Sequence, residues 1–284
     1  MSPREPKQQS QTGFTATAPG GLPSTGAPHG AARGKAIDDR FGATDRTDNW
    51  WLIPTLQAIG LVLLIGYANY AAILGAAHYH YIEDGRHYLS PFYSPYLNPS
   101  WRPGWLSPAL LVLIFPLGFR TTCYYYRKAY YRSFFHDPIA CAVGERSQSY
   151  CGEAKFPFIL QNIHRYFMYA ALVFLVILWI DVFRAFTFHG GFGMGVGSIA
   201  ILLSTASLTL YTLSCHSLRH IIGGRLDCFS CAVAGGPRHA TWSGISKLNG
   251  HHMGFAWWSL LFVCLADFYV RMCSMGVIHD IRFF

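Results

Sequence analysis

Two cysteines and two histidines recur in matched settings along the 284 residues of this chain. Cys123 in TTCYYYR and Cys215 in LSCHSLR each begin a Cys-x3-Arg spacing, which puts Arg127 and Arg219 one helical turn on and on the same faces as their cysteines. His164 in ILQNIHRYF and His252 in SKLNGHHMGF each stand about two turns into an apolar run. Two thiolates and two neutral imidazoles suit a Rieske-type [2Fe-2S] cluster, whose potential lies above that of an all-cysteine cluster. The same four side chains would satisfy a structural zinc. Alternatively, His164 and His252 would hold a b-type haem while the cysteines pack. His216, His220 and His251 compete as ligands, His251 pointing about 100° away from His252 around one helix.

These residues need a scaffold that brings them to one depth. Hydrophobic residues make up 52% of the chain and charged residues 13%, against about 45–50% and about 25% in soluble domains. Aromatics reach 16%, in keeping with rings anchored at a lipid boundary. Five runs, at 50–79, 106–135, 158–186, 195–222 and 246–272, are long enough for about 30 Å of hydrocarbon. Helices are the economical way to pair their backbones in lipid. The expected fold is therefore an all-α integral membrane protein with five transmembrane helices over 49–284, preceded by a flexible cytoplasmic tail over 1–48. The outer loop HYIEDGRHYLSPFYSPYLNPSWRPGW is expected to lie along the interface.

Sixteen of the lysines and arginines fall in the tail, in 120–155 and in 219–247, against five on the opposite loops. That asymmetry puts the N-terminus in the cytoplasm and accounts for the net charge of +8 without nucleic acid. The second and third runs align with the fourth and fifth. Both pairs carry Cys-x3-Arg, then a cysteine (Cys141, Cys231), a histidine, and an acid with a base one turn on (Asp181 and Arg184, Asp267 and Arg271). An internal two-helix repeat of this kind would bring Cys123, Cys215, His164 and His252 together near the cytoplasmic side.

The remaining cysteines are expected to be inert. Cys228 and Cys231, with Cys141 and Cys151, resemble pieces of a four-cysteine site, but their irregular spacing favours reduced loop thiols. Cys264 and Cys273 sit among apolar residues and read as packing. GGFGMGVG joins two apolar runs with no strand before it and reads as a turn rather than a nucleotide site. A membrane transporter is a weaker reading, because the ionisable groups cluster near one interface instead of the midplane.

Long motifs, CYYYRKAYYRSFF, PIACAV, FPFILQNIHRYFMYAAL, LYTLSCHSLRHIIGGRL, SKLNGHHM and ADFYVR, resemble the single-chain, five-helix membrane-anchor subunit of actinobacterial succinate dehydrogenases over roughly residues 50 to 275. The resemblance implies a multi-pass protein of the plasma membrane. It implies two partners, a flavoprotein subunit that oxidises succinate and an iron-sulfur subunit that passes the electrons on. It also implies an intramembrane Rieske-type [2Fe-2S] cluster in place of haem, and quinone, menaquinone above all, as acceptor. Quinone carbonyls need donors as charge builds on their oxygens, and Arg127, Arg219, His220 and Tyr131 are the candidates at that rim.

Overall fold

The structure, a computed structural model, describes residues 40–136, 138–146, 156 and 158–284. Of the expected tail, 1–39 lie outside the described residues, as does Cys151. Residues 42–46 pair with the loop at 141–144: Gly42 and Gly144 exchange backbone bonds with that neighbourhood, and Thr44 Oγ1 donates to the carbonyl of Ala142 at 2.7 Å.

Among the described residues eight α-helices make the body: α1 (Leu52–Ile73), α2 (Pro108–Thr121), α3 (Tyr124–Tyr130), α4 (His164–Ala185), α5 (Val196–Leu213), α6 (His216–Ile222), α7 (Gly235–Asn249) and α8 (His252–Ser274). Among the described residues α1, α5, α8 and the stretch ending in α4 are each long and apolar enough to cross a membrane, and the bent pair α2–α3 makes a fifth span if counted as one. Their outer faces stay bare of protein. Ile53, Leu56, Ile59, Val62 and Leu63 of α1 and Val173, Val176 and Ile180 of α4 are all exposed, as expected of surfaces whose solvent is lipid.

The run 106–135 is not the single helix expected from its hydropathy. Pro108 starts α2 behind Ser107, but the helix stops at Thr122 and restarts at Tyr124 with an 80° bend. Cys123 at the joint is extended, with φ −66° and ψ 129°. No glycine or proline stands at the joint itself, although Pro116 and Gly118 lie within α2. Thr122 turns its hydroxyl back onto the carbonyl of Gly118 at 2.6 Å, a bond that competes with helix continuation. The joint between α5 and α6 has the same form: Ser214 Oγ donates to the carbonyl of Tyr211 at 2.9 Å, and Cys215 is extended at φ −63° and ψ 135°. Interrupted helices survive at membrane depth only where protein covers them, and Cys123 and Cys215 are both buried.

The expected interface loop is partly sheet. Strands β1 (His80–Glu83) and β2 (Arg86–Leu89) form a hairpin around Asp84 and Gly85, both at positive φ, as a two-residue turn requires. A second small hairpin, β3 (Thr187–Phe188) with β4 (Gly191–Phe192), occupies the glycine-rich turn before α5. Asp280 ties this end together. Its carboxylate accepts from Tyr88 Oη and Tyr269 Oη at 2.8 Å, from Gly197 N–H at 2.9 Å and from Arg86 at 3.2 Å. Nearby, Asp267 pairs with Arg271 at 3.2 Å, and Asp181 with Arg184 at 3.5 Å. A cavity of about 850 Å³ opens at this end between the first hairpin and the end of α4, bordered by Tyr79, His80, His87, Asp181, Arg184 and His189. Burial and the neighbouring His87 hold the His80 imidazole below its ordinary pKa.

Candidate metal centre

The opposite end of the bundle carries the chemistry. His252 at the start of α8 points Nε2 at Cys123 Sγ, 3.4 Å away, and His164 at the start of α4 points Nε2 at Cys215 Sγ, 3.2 Å away. The two thiols are 2% and 1% exposed, so solvent does not compete for them. Four helical joints supply the four side chains: α2–α3 and α5–α6 contribute the cysteines, and the first residues of α4 and α8 contribute the histidines.

The hydroxyls decide which way each imidazole faces. Thr122 Oγ1 lies 2.9 Å from His164 Nδ1 and has given its own proton to the carbonyl of Gly118. It must therefore accept, so His164 carries its proton on Nδ1 and leaves the Nε2 lone pair for Cys215. Ser214 does the same for His252: its Oγ lies 2.7 Å from Nδ1 while its proton goes to the carbonyl of Tyr211. Metal-ligating histidines generally donate their second N–H to such a partner, which fixes tautomer and ring orientation. Aromatic rings complete the hold. Phe119 stacks on His164 with centroids 4.8 Å apart, and Tyr211 stacks on His252 at 5.0 Å.

Among the alternates, His251 is exposed and turned away, with Nδ1 3.3 Å from the carbonyl of Lys247. His216 is exposed, and His220 meets Arg165 at 3.0 Å. The quinone candidates each have protein contacts of their own. Arg127 is buried with its guanidinium over the Tyr124 ring at 4.1 Å, Tyr131 packs against Tyr130 and Phe135, and Arg219 donates to Ser246 Oγ at 2.7 Å while lying over Trp242. A basic residue turned towards the centre is Arg120, which the sequence reading counted only among the cytoplasmic-side charges. Its guanidinium lies 5.0 Å from the centroid of Tyr211 and donates to Tyr126 Oη at 2.5 Å. An apolar cavity of about 250 Å³, walled by residues such as Leu61, Leu113 and Leu260, reaches Phe119, Arg120, Tyr126 and Tyr211.

Cys228 and Cys231 correct a sequence expectation. They form a disulfide rather than reduced thiols, because the turn between them brings their Cα atoms to 5.4 Å. Cys141 is an exposed free thiol; Cys264 and Cys273 are buried and pack, as expected. Thr122, Ser214, Phe119 and Tyr211 escaped the sequence reading. Their signal was positional: each hydroxyl directly precedes its cysteine and each ring lies four residues before it.

These features define a membrane-embedded helical subunit with a paired thiol–imidazole centre. Residues 52–276 match the family of the actinobacterial succinate dehydrogenase subunit SdhC, and the chain belongs to that family. It resembles a chain of the Mycobacterium smegmatis Sdh1 complex in the apo form with 42% sequence identity and a TM-score of 0.77, the match covering 89% of this chain and 97% of that one. No curated protein matches it. The chain is thus a membrane subunit of a succinate dehydrogenase complex, an oxidoreductase.

Proposed function

We propose that this subunit receives electrons from an iron-sulfur partner and delivers them to quinone through a [2Fe-2S] centre held by Cys123, Cys215, His164 and His252. The observation that carries the reading is the orientation of the two imidazoles, each with its proton on Nδ1 committed to a hydroxyl and its Nε2 lone pair aimed at a buried thiol. When bound, the cluster supplies one-electron transfer at a potential above that of an all-cysteine cluster. Cys123 and Cys215 lose their protons to bind it. His164 and His252 stay neutral, and Phe119 and Tyr211 hold the imidazoles by stacking on them. A haem held by the two histidines would leave both thiols, and their contacts with Nε2, without a role.

The matched roles of Thr122 and Ser214, and of Phe119 and Tyr211, support an internal repeat that delivers one cysteine and one histidine from each half. With α2–α3 counted as one bent span there are five crossings, and the positive-inside asymmetry of lysine and arginine supports a reading with the N-terminus and the centre on the cytoplasmic side of the plasma membrane. The partners are then an iron-sulfur subunit docked over that side and a flavoprotein beyond it. Quinone, taken to be menaquinone, is assigned to the same rim, with Arg127, Arg219, His220 and Tyr131 as donors to its oxygens.

Electron paramagnetic resonance of the dithionite-reduced complex tests the reading. The wild-type complex should give a Rieske-like signal that a His164→Ala, His252→Ala double variant lacks. A signal unchanged in the double variant, or sharp haem α-bands in the reduced wild type, overturns it.

A further inference from the structure

The geometry points to Arg120 as a fixed positive charge that raises the reduction potential of the thiol–imidazole centre, an inference that rests on the centre proposed above. Arg120 occupies the last turn of α2 and turns inward. Its Nη1 donates to Tyr126 Oη at 2.5 Å and to the carbonyl of Ala256 at 3.4 Å, and its Nη2 donates to Ser259 Oγ at 3.1 Å. Tyr126 and Ser259 are themselves buried, so the guanidinium is held by groups that cannot swing away into water. The ion pairs among the described residues include none with Arg120. A cation inside a membrane bundle without a carboxylate beside it is costly and marks function.

Its placement says which function. Arg120 Cζ lies 5.0 Å above the Tyr211 ring, and the same ring stacks 5.0 Å from His252, so a single aromatic layer separates the guanidinium from one of the four proposed ligands. The arrangement has no counterpart in the other half of the centre. Three residues before Cys215, where Arg120 stands before Cys123, the chain has Thr212, and the ring on His164 is Phe119 rather than a tyrosine. The charge is therefore presented, through Tyr211, to the Cys123/His252 half.

Electrostatics gives the sign. Thiolates of Cys123 and Cys215 cancel the two positive charges of an oxidised [2Fe-2S] core, and neutral His164 and His252 add nothing, so Arg120 feels little net charge in that state. One electron from the iron-sulfur partner, arriving without a proton, leaves the assembly with one negative charge. Arg120 attracts only that reduced form, across a poorly screened interior. It thereby makes reduction easier.

A redox titration of the Rieske-like resonance in the assembled complex tests this. Arg120→Gln should make the centre about tenfold harder to reduce, a fall of about 59 mV for a one-electron couple. Arg120→Lys should stay close to wild type, because the charge remains. Ser259→Asp, which sets a carboxylate against the guanidinium and leaves Arg120 in place, should lower the potential as Arg120→Gln does, and serves if that variant does not assemble. Wild-type potentials in both Arg120→Gln and Ser259→Asp, with the signal intact, overturn the proposal. Absence of any such signal from the wild-type complex overturns the proposed centre itself and is thereby distinguishable.

Discussion

His252 Nε2 lies 3.4 Å from Cys123 Sγ across 129 residues of chain, and the contact depends on a third residue, Ser214, whose hydroxyl turns the imidazole to face the sulfur. His164, Cys215 and Thr122 repeat the relationship. In the proposed centre a histidine held by a hydroxyl from another joint would be oriented before metal binding, so binding would not have to freeze the ring.

Removing that support should loosen the metal without removing a ligand. Thr122→Val or Ser214→Ala should each weaken iron retention by about 10–100-fold, the usual cost of losing a partner behind a ligating histidine. Iron per complex, followed over time against a chelator, reads this out. Thr122→Ser, which restores the hydroxyl, should retain iron as the wild type does, and equal iron loss from Thr122→Val and wild type would argue against the orienting role.

Cys228 and Cys231 make the contrasting case. They are disulfide-bonded and belong to the turn before α7, with no part in the four-residue centre. Cys228→Ser should leave the Rieske-like resonance unchanged, whereas Cys123→Ser or Cys215→Ser should abolish it. In complex purified without reductant, Cys228 and Cys231 should resist alkylation until dithiothreitol is added. Alkylation without it would show the pair to be open thiols.

Hydropathy located the spans because burial in lipid requires about 20 apolar residues whatever the fold within. The Cys123–His252 and Cys215–His164 contacts had a sequence signal, because two copies of one pattern stand in one sequence. The breaks at Cys123 and Cys215 had none, since a hydropathy window senses composition and is blind to a threonine or serine hydroxyl that takes its own helix's carbonyl. Arg120 was hidden for a related reason: it was counted only as a cytoplasmic-side charge within the run 106–135, and only the bend after Thr122 shows it turned inward onto Tyr126. The first hairpin could have been found, because Asp84-Gly85 between alternating residues is a hairpin turn signal.

Gly118 tests how tightly the joint is built. A Cβ there would stand 2.3 Å from the ring of Phe167, and the carbonyl of Gly118 is the acceptor that commits the Thr122 hydroxyl. Small residues let membrane helices approach closely. Gly118→Ala should cost about 1–3 kcal/mol through overpacking, despite the better helix propensity of alanine. A thermal midpoint for the complex at or above wild type would show that Phe167 moves aside freely. Phe167→Leu in the same background should recover part of the loss.

At the far end, Asp267 and Arg271 form a buried ion pair. The Asp267 carboxylate accepts from Tyr67 Oη at 2.6 Å, from Ser90 Oγ and from Arg271, while Arg271 also donates to the carbonyls of Ala71 and Gly75. Both side chains are almost fully buried. Asp267→Asn keeps the shape but leaves Arg271 charged and uncompensated, and should destabilise the subunit by about 3–5 kcal/mol. Replacing both members by leucine removes the stranded charge and should cost less than the single change. Thermal unfolding of the three complexes distinguishes the cases, because only a true buried pair makes the double variant more stable than Asp267→Asn. The centre lies at the other end of the bundle, so the iron signal should persist in whatever Asp267→Asn complex assembles; its loss there would mean that the two ends of α8 are coupled.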